Sequence, residues 1–508
     1  MNDTLHKIIS MDDEAIRDIV DRKKRLVVCY GHFNVIHPGH MRYLKYARSL
    51  GDSLIIAVLD DVGLGRDAAN YFPENERAEG VSLLHIVDNV VILENGNLDN
   101  FIETIKPRVL VLGSEHEDER DSKIESAISL LKEQKGKVVF HAGETRYANA
   151  DLLYSGIDDL EIEKISLFKK VCSSQNIKLN TLENRLDKIS NANLLVVGDT
   201  IVDQYVACDA MGMSAEAPVL VVRELESREF VGGAAIVASH IKALGAKCHF
   251  LSVVGDDLHA SHVENELNKQ DVCTYLIADG SRPTTYKIRY MVDNQKLFRV
   301  SQLKEHKLSA RVENIVIEKI YELAPSIDGI LVSDFVYGVI TDKILDVIRE
   351  VSSKYNLKTF GDVQCSSQTG KVTKFKDFDL IFPTEKEARL GMDNNVDGVE
   401  WIANSLMQEI DSNELLITLG AEGFIAYSKQ SDGFMNRQHY PAMTVNPVDV
   451  AGAGDSMFAA ISACISSGAN LMEASAIGAC MASLAVREVG NQPISATKLK
   501  DYLARICV

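Results

Sequence analysis

The chain has 508 residues, of which 46% are hydrophobic and 25% are charged, and its formal net charge is −19 at pH 7. This length exceeds what one hydrophobic core usually supports, so we expect a globular protein of two or three domains. The acidic balance argues against nucleic acid as the main partner but leaves nucleotides open, since glycine loops and a few cations can bind them.

The sequence also argues against a membrane or secreted protein. It contains no apolar run long enough to cross a bilayer, and residues 1–10, MNDTLHKIIS, lack the pattern of a signal peptide. The nine cysteines are scattered singly without a CxxC pair, which is typical of reduced thiols rather than of a disulfide framework or a zinc site. We therefore expect a cytoplasmic protein without a membrane partner.

In chain order, the first predicted elements form an α/β domain, which we place at residues 1–155. Helical stretches separate its strands, and this alternation favours a mostly parallel sheet. The strands are predicted at 25–30, 54–59, 89–93, 108–112 and 137–140.

The rest of the chain divides into a connector and a second α/β domain. Residues 156–190 are charged and have a helical pattern, and we interpret them as a helical connector that could also dock on either domain. The second domain, residues 191–508, begins with a predicted strand at 194–199. Two segments in its early part, 217–226 and 286–300, could form a small β lid. Later strands alternate with helices, which again favours a parallel sheet.

The first motif with chemical meaning is YGHFNVIHPGH at residues 30–40. It follows a predicted strand and precedes residues 41–50, whose apolar spacing fits one face of a helix. Open parallel sheets bind ligands at the carboxyl ends of strands, where a helix start offers N–H groups to an anion. Gly39 allows close approach of the backbone, and His37 and His40 can stabilise charge on a polyphosphate. The alternative is that both histidines are surface or capping residues.

The sharpest signal in the second domain is DVAGAGDSMFAAISACIS at residues 449–466, where a tight loop leads into an apolar periodic run. Gly452, Ala453 and Gly454 would present N–H groups at a helix N-terminus, as an anion hole for a phosphoryl group in transfer. Asp455 lies at the mouth of this loop and could take a proton from an attacking hydroxyl. The alternative is that Asp455 is only a helix N-cap.

Further candidates lie at the ends of other predicted strands. A turn after one strand suits close approach to a nucleotide, a glycine pair before a helix suits a sugar hydroxyl or phosphate, and two carboxylates could hold substrate hydroxyls. These residues are Thr418, Gly420 and Gly423, then Gly232 and Gly233, then Asp199 and Asp203.

Basic residues alternate along a predicted pair of lid strands. Lys287, Arg289 and Arg299 are the cations that a phosphorylated substrate would need. The alternative is that they form a solvated strand face.

Together these residues resemble the ribokinase-like (PfkB) carbohydrate kinases over about residues 192–505, with GGAA near the start and DxxGAGD near the end. The resemblance implies a ribokinase-like α/β domain in which ATP is the phosphoryl donor, Asp455 is the catalytic base and residues 452–454 form the anion hole. Residues 418–423 would border the adenine nucleotide. TEKE matches the family's Asn-x-x-Glu, so Glu387 would act on Mg²⁺ and phosphate. The implied nucleotide contacts there are Thr384, Glu385, Lys386 and Glu387.

The chain also resembles, over nearly all of its length except the connector, the bifunctional heptose-7-phosphate kinase/heptose-1-phosphate adenylyltransferases, with the domain order reversed. The similar segments include SAEAPVLVV, VGGAAIVASHIKALGA and YKIRYMVDNQKLFRV in one half and YGHFNVIHPGHMRYLKYARSLGDSLIIAVLDD in the other. This implies a Rossmann-like nucleotidyltransferase domain in which His37 and His40 bind the triphosphate of ATP, and a homodimer formed by lid strands. The other implied residues are Phe33, Asn34, Gly39, Arg77 and Gly113 for the nucleotide, and Asp203, Gly232, Gly233, Lys287, Arg289, Gln295 and Asp334 for the substrate.

The sequence departs from the family pattern in both halves. In the kinase half these positions border the sugar or phosphates, which leaves the identity of the sugar open. They are Ile236 and Thr384 in place of Asn, Tyr337 in place of Lys, and DVQ at 362–364 in place of DPK. In the transferase half, Asn34 replaces Asp, Leu112 replaces Lys, and ETRYANADLL at 144–153 stands in place of a Ser-Thr-Thr motif.

The expected function is the synthesis of an activated sugar. The kinase would phosphorylate a sugar or sugar phosphate with Mg²⁺ and ATP, and the transferase would join a sugar 1-phosphate to a nucleotide with release of pyrophosphate. ADP-heptose-type synthesis is the first candidate. The alternatives are a polyol-phosphate cytidylyltransferase fused to a different sugar kinase, and a working kinase with a degenerate nucleotide-binding or dimerisation module.

Overall fold

The computed structural model describes residues 7–10, 25–36, 38–64, 71–113, 115–118, 122–141, 157–292, 295–364, 370–430 and 434–507. The chain forms two compact units. One comprises residues 1–148 and 394–404, and the other comprises residues 149–393 and 405–508. The exact domain boundaries predicted from the sequence stay a prediction.

The first unit contains one six-stranded parallel sheet in the order β1-β4-β3-β2-β5-β6. Its central strands are apolar on both faces, because helices cover both sides of a parallel sheet. The elements are β1 (Ile8–Ile9), β2 (Leu26–Gly31), α1 (Pro38–Ser49), β3 (Ser53–Leu59), α2 (Asp61–Leu64), α3 (Glu74–Ser82), β4 (Asn89–Leu93), α4 (Leu98–Ile105), β5 (Val109–Gly113), α5 (Glu115–Asp118), α6 (Ser122–Glu133) and β6 (Lys137–His141).

The remaining elements build the second unit, apart from residues 394–404. They are α7 (Ile157–Ser174), α8 (Leu179–Lys188), β7 (Asn193–Gly198), β8 (Thr200–Met213), β9 (Leu220–Gly233), α9 (Ala234–Ala243), β10 (Lys247–Val254), α10 (Leu258–Lys269), β11 (Cys273–Ala278), β12 (Thr285–Val292), β13 (Gln295–Gln302), α11 (Ala310–Leu323), β14 (Gly329–Asp334), α12 (Asp342–Tyr355), β15 (Lys358–Val363), β16 (Leu380–Ile381), α13 (Glu385–Gly391), α14 (Val399–Ile410), β17 (Glu414–Thr418), β18 (Phe424–Lys429), β19 (Met435–Tyr440), α15 (Ala453–Ser466), α16 (Leu471–Ala485) and α17 (Ala496–Cys507).

Two sheets organise this second unit. The main sheet has nine strands in the order β11-β10-β7-β14-β15-β16-β17-β18-β19, and only its last two pairings are antiparallel. A separate four-stranded sheet, β13-β12-β8-β9, forms the predicted lid. The fold class is therefore as predicted. The sequence prediction did not place β1, which is too short to show a pattern, or β8, the first strand of the lid. It also did not place β10, β11, β18 and β19 of the main sheet.

The connector belongs to the core of the second unit. Its helices α7 and α8 bury Phe168, Leu182 and Leu186, each no more than 2% exposed, within the apolar cluster that also contains the inner faces of α15 and α16. The sequence left docking on either domain open, and in the structure these helices pack on the second unit.

Within the described ranges, no helix combines the length and the apolar character needed to cross a membrane.

Candidate active site

The predicted anion-hole loop stands at the start of α15. Gly452 caps this helix with a φ of 84°, and a Cβ atom there would lie 2.1 Å from the side chain of Asn491, so only glycine fits. At Gly454, by contrast, an added Cβ would meet no atom within 4 Å among the described residues outside the backbone of its own helix. The first turn of α15 therefore offers N–H groups beside open space, as an anion hole requires.

Asp455 lies in this first turn and is 7% exposed. Its Oδ1 accepts a 2.7 Å hydrogen bond from Gln364 Nε2, and its Oδ2 accepts one of 3.2 Å from Asn491 Nδ2. Burial raises the pKa of Asp455 to about 6, and Asp203 adds to the rise, whereas both amides and Lys287 oppose it. Such a carboxylate is ionised at pH 7 and can accept the proton of a hydroxyl during its attack.

The predicted substrate residues Asp203, Gly232 and Arg289 meet in the lid. Arg289 forms an ion pair with Asp203 and stacks its guanidinium 5.2 Å from the ring centre of Tyr205. A Cβ atom at Gly232 would lie 2.5 Å from the Asp203 carboxylate, so glycine allows the strands to approach closely here. Asp203 thus lies between a cation and the glycine pair, in a position suited to sugar hydroxyls.

Lys287 lies on the neighbouring lid strand, opposite Asp203 in the β8–β12 register. It is 3% exposed, and its ammonium lies 5.5 Å and 5.2 Å from the ring centres of Phe335 and Tyr337. Both rings come from the segment after β14. Lys287 is therefore a buried cation beside Asp455, held by aromatic faces.

The carboxylates of Asp334 and Asp199 accept hydrogen bonds from backbone N–H groups. Asp334 is 2% exposed, accepts a 2.7 Å bond from Val336 N and forms an ion pair with Lys374. Asp199 accepts backbone bonds of 2.8–3.3 Å from Phe335, Tyr337 and Val339. In this conformation the Asp334 carboxylate is buried and bound within the protein, and its predicted contact with the substrate stays a prediction. The two carboxylates instead position the loop that follows β14.

The predicted nucleotide residues meet at the carboxyl ends of β16 and β17, where Thr384 and Thr418 form a parallel bridge. Thr384 caps α13 in a capping box with Glu387, whose Oε2 accepts bonds of 2.8 Å from the Thr384 hydroxyl and backbone N–H. Thr384 and Glu387 thus fix the start of α13 together. Gly420 and Gly423 have φ values of 65° and 90°, which form the tight turn after β17.

The remaining residues of TEKE face different surroundings. Glu385 pairs with Arg389 at 2.7 Å across one helical turn, and Lys386 is exposed. Glu387 is 7% exposed and close enough to Asp362 to help raise the pKa of Asp362, an effect that burial dominates and Asp455 reinforces. Only Glu387 among these side chains therefore faces the carboxylates around Asp455.

A lid cation also reaches the glycine loop. Lys296 donates a 2.9 Å bond to Oδ1 of Asp449, the residue that opens the DxxGAGD loop, and the Tyr205 hydroxyl donates one of 2.9 Å to Oδ2. The predicted substrate residue Gln295 precedes Lys296 at the exposed start of β13. The lid thus contacts the loop through Lys296 and Tyr205, neither of which was predicted.

In the first unit, the HxGH motif joins β2 to α1 as predicted. His40 lies in the first turn of α1, with Nδ1 3.1 Å from the carbonyl of Val35. Phe33 is 3% exposed, has a φ of 49°, and packs its ring 5.2 Å from that of His40. Gly39 follows the helix start and is buried. His37 lies outside the described residues, as do residues 144–153, so their predicted roles stay predictions.

In this conformation, Arg77 is bound entirely within the first unit. Its side chain is 0% exposed and donates bonds of 2.7–2.8 Å to the carbonyls of Phe72, His32 and Leu59, with an ion pair of 2.7 Å to Asp61. In this conformation the guanidinium joins the carboxyl ends of β2 and β3. It therefore holds these two strand ends in place, and a direct nucleotide contact stays a prediction.

Two of the three departures in this unit lie within the described residues, and they have distinct surroundings. Asn34 accepts a 2.6 Å bond from the backbone N–H of Phe72, which holds the segment before α3. Leu112 is 0% exposed in the core of the unit, one residue before Gly113 at the end of β5. The side chain at 112 thus faces the core, where a lysine would not supply a cation to the pocket.

A groove of about 1150 Å³ lies at the amino ends of strands in the main sheet, opposite the carboxyl ends. Lys358, Asp379 and Glu414 line it at the amino ends of β15 and β17. Parallel sheets bind ligands at the carboxyl ends of their strands, so this groove is separate from the site around Asp455.

A glycine loop at a helix start, an ionised carboxylate beside it and a β lid with cations form the site of an α/β phosphotransferase. Residues 191–498 match the pfkB family carbohydrate kinase model, and residues 28–149 match the cytidylyltransferase-like model. The chain belongs to the pfkB family of carbohydrate kinases. The kinase family and the cytidylyltransferase-like fold predicted from the sequence are confirmed.

Curated relatives and solved structures are also similar to the chain. It is 30% identical over 313 residues to "Bifunctional protein HldE" of Campylobacter jejuni subsp. jejuni, covering 61% of this chain and 64% of the relative. It is 28% identical over 312 residues to the protein of the same name from a Nitratiruptor species, with the same coverage. The chain thus spans about 64% of the length of these relatives. Phosphofructokinase-2 from Escherichia coli in complex with substrates and products matches with a TM-score of 0.52 and 16% identity, over 62% of this chain and 99% of that one, which shows the kinase fold.

Proposed function

We propose that the protein is a bifunctional enzyme that activates a sugar in two steps. The kinase transfers the γ-phosphoryl group of ATP to a hydroxyl of a sugar or sugar phosphate. The N-terminal domain joins a sugar 1-phosphate to a nucleotide and releases pyrophosphate. The two family matches on one chain support this pairing, as does the similarity to relatives named bifunctional.

The observation that carries the kinase half is the placement of Asp455 beside the open first turn of α15. The substrate hydroxyl gives its proton to Asp455 as it attacks the γ-phosphorus in line, and ADP leaves on the far side. N–H groups of residues 452–454 stabilise the charge that spreads over the transferring oxygens. Positioning and charge stabilisation suffice, so the kinase needs no covalent intermediate.

Magnesium accompanies the nucleotide in this proposal. Among the described residues, no group of three or more His, Cys, Asp or Glu side chains is arranged to hold a metal ion. That fits Mg²⁺, which is usually held by phosphates and one or two carboxylates rather than by a protein cage. Glu387 is the carboxylate that would act on it, and the ion would neutralise charge on the β- and γ-phosphates.

The buried cations favour a phosphorylated sugar. Among the described residues, the Lys287 ammonium makes no hydrogen bond or ion pair, although it is 3% exposed and adjacent to Asp455. A substrate phosphate or another anion would satisfy it. Heptose 7-phosphate is our first candidate because the kinase half resembles enzymes that use it, which makes ADP-heptose-type synthesis the proposed pathway step.

For the transferase half, the helix start of α1 and His40 would bind the triphosphate while a sugar phosphate attacks its α-phosphorus. The buried Leu112, in place of an expected lysine, favours one rival: a nucleotide-binding or dimerisation module without transfer activity. Incubation with a sugar 1-phosphate and either ATP or CTP distinguishes nucleotidyl transfer from a module without transfer activity. Pyrophosphate release that is lost in the double variant His37→Ala, His40→Ala supports transfer, and no release with either nucleotide supports the rival.

The experiment for the kinase half is a panel of phosphosugars, including heptose 7-phosphate, offered with MgATP to the wild type and to Asp455→Asn. We expect ADP release with one member of the panel and a loss of at least about a thousandfold in the variant. The His37→Ala, His40→Ala double variant is the matched control and should keep this activity. ADP release that Asp455→Asn retains would contradict the assignment.

We also propose that lid strands pair two copies in a homodimer and that the enzyme works in the cytoplasm. The lid exposes a set of large apolar side chains: Met213, Leu220, Leu225, Phe298 and Val300. Burying them against a second copy would remove this apolar area from water. Phe298→Glu should shift the mass measured by light scattering from dimer to monomer. The eight cysteines among the described residues are all free, which suits a reducing compartment.

A further inference from the structure

A buried histidine lies behind the proposed catalytic base. His240, on α9, is 0% exposed and lies 3.2 Å through Nε2 from Oδ1 of Asn491. The Nδ2 of Asn491 lies 3.2 Å from Oδ2 of Asp455. The backbone N–H of Ile494 points at the other ring nitrogen, Nδ1, at 3.4 Å. Ile494, His240, Asn491 and Asp455 thus form one series of hydrogen bonds that ends on Asp455.

The backbone N–H of Ile494 fixes which group donates in each of these hydrogen bonds. A backbone N–H can only donate, so Nδ1 of His240 is the unprotonated ring nitrogen and Nε2 carries the proton. Nε2–H then donates to the Asn491 carbonyl oxygen, which leaves the amide NH₂ to face Asp455. Burial lowers the pKa of His240 to about 4, although the bond to Asn491 opposes this, so the ring is neutral at pH 7.

The glycine loop completes the arrangement. An added Cβ at Gly452 would lie 2.1–2.3 Å from all three terminal atoms of the Asn491 amide, so this amide lies flat against the loop. The same contact that requires glycine at 452 holds the Asn491 amide beside Asp455. The base and the anion hole therefore share one support.

We propose that His240 and Asn491 are positioning residues for the kinase: His240 fixes the orientation of the Asn491 amide, and Asn491 holds Asp455 ionised and aimed at the substrate hydroxyl. This inference rests on the proposed kinase function. Without the Nε2–H donor, the Asn491 amide can turn its oxygen toward the carboxylate, which would repel the charge that Asp455 needs. Neither residue contacts the reacting atoms in this proposal.

The kinetic test compares Asn491→Leu, His240→Leu and His240→Gln in the full chain, with MgATP and heptose 7-phosphate. Asn491→Leu should lower kcat roughly 10- to 100-fold, since the base is no longer held in line. The pH below which activity falls, called here the acid limb of the pH profile, should also rise by about one unit. The reason is that a hydrogen bond that favours the charged carboxylate is lost. His240→Leu should move the limb in the same direction. His240→Gln keeps a donor and should restore most of the wild-type profile.

The charged and polar groups that face Asp455 from other elements stay unchanged in all three variants. They are Asp203 on β8, Lys287 on β12, and Asp362 and Gln364 at the end of β15. Ser462→Ala is the matched control, because it removes a buried hydroxyl from the same helix as Asp455 that has no partner among the described residues. It should leave the acid limb in place. A lower kcat with an unmoved limb in Asn491→Leu, or no rescue by glutamine at 240, would overturn the proposal.

A second measurement needs no sugar and separates this inference from the kinase assignment. In protein labelled with ¹⁵N-histidine, the signal that disappears in His240→Gln should show an unprotonated Nδ1, a protonated Nε2 and no titration between pH 5 and 8. The opposite tautomer, or titration near the ordinary histidine pKa, would contradict the proposed roles of His240 and Asn491, whatever the substrate is. The expected tautomer in a protein without Asp455-dependent ADP release would count against the kinase alone.

Discussion

Gln364 donates a 2.7 Å hydrogen bond from Nε2 to Oδ1 of Asp455, and the same nitrogen lies 3.1 Å from Oδ2 of Asp362. One side-chain amide therefore joins two buried carboxylates. Burial, reinforced by Asp455 and Glu387, raises the pKa of Asp362 well above its usual range, whereas Asp455 stays closer to normal. The amide stands where the resembling kinases carry the lysine of DPK, so a neutral donor replaces a cation behind the base.

The first prediction concerns the charge behind Asp455. The base works only when deprotonated, so kinase kcat/KM in the wild type should fall below about pH 6. Gln364→Lys adds a positive charge and should move this limb to lower pH, whereas Gln364→Leu removes a donor and should move it higher. The measurement is kcat/KM between pH 4.5 and 8.5. Limbs that move together in the two variants would show that Gln364 does not set the ionisation of Asp455.

The second prediction concerns the lid contact with the glycine loop. Lys296→Met removes the ammonium from Asp449, which is then held from the lid by Tyr205 alone. We expect KM for the sugar to rise several-fold and kcat to fall less, because closure of the lid is weakened while the base is untouched. Arg223→Met is the control, since it breaks an exposed ion pair with Asp209 on the same lid. Equal changes in KM and kcat in the two variants would show that the Lys296 contact has no specific role in lid closure.

The third prediction concerns stability and pH. Burial raises the pKa of Glu414 to about 7, with Asp379 reinforcing and Lys358 opposing the shift. The folded state therefore retains a proton that the unfolded state loses, and stability falls as pH rises from about 4.5 to 7. Glu414→Gln should remove this loss and gain about 1–3 kcal/mol on the wild type between pH 5 and pH 8.

The measurement for this variant is the melting temperature at the two pH values. Glu409→Gln, which removes an exposed carboxylate paired with Lys376 at 3.6 Å, is the control and should show no such gain. A Glu414→Gln difference that is the same at pH 5 and pH 8 would refute the raised pKa.

The fourth prediction concerns Arg77 in the first unit. Arg77 donates from Nε to Phe72, from Nη1 to His32 and Leu59, and from Nη2 to Asp61, and the single ammonium of a lysine cannot reproduce this set. Arg77→Lys should therefore destabilise the first unit by about 2–4 kcal/mol and abolish nucleotide-dependent pyrophosphate release, while kinase activity persists. Arg108→Lys, whose bond to the carbonyl of Lys135 lies at the surface, is the control. Normal stability together with a selective rise in KM for the nucleotide would restore the direct contact that the sequence suggested.

Much of the fold could be predicted because parallel strands buried on both faces leave continuous apolar runs, as at β2 and β3. Glycines at helix starts likewise gave a local signal for the two candidate sites. β8 was missed because its 14 residues pass from a buried start to an exposed end and keep no single period. The chain of bonds behind Asp455 had no local signal either, since His240 and Asn491 are 251 residues apart in sequence.

Side-chain roles were harder to predict than positions. Asp334 and Arg77 lie where expected, at strand ends beside the sites, yet both bind backbone or a neighbouring ion pair instead of open space. A sequence shows that a charged residue stands near a ligand edge, but not whether the surrounding backbone uses up its hydrogen bonds first. Lys296 shows the converse, because only the pairing of β12 with β13 carries it to Asp449.

The two helices ahead of β7 have a practical consequence for anyone who wishes to separate the activities. A kinase fragment cut at residue 191, where the family match begins, would lose Phe168, Leu182 and Leu186 and uncover the apolar surface of α16 and α17 against which α8 packs. Such a truncated protein should precipitate, whereas one that starts at residue 157 should stay monodisperse and retain its turnover. The part of the chain that folds on its own should therefore be longer than the family match at residues 191–498.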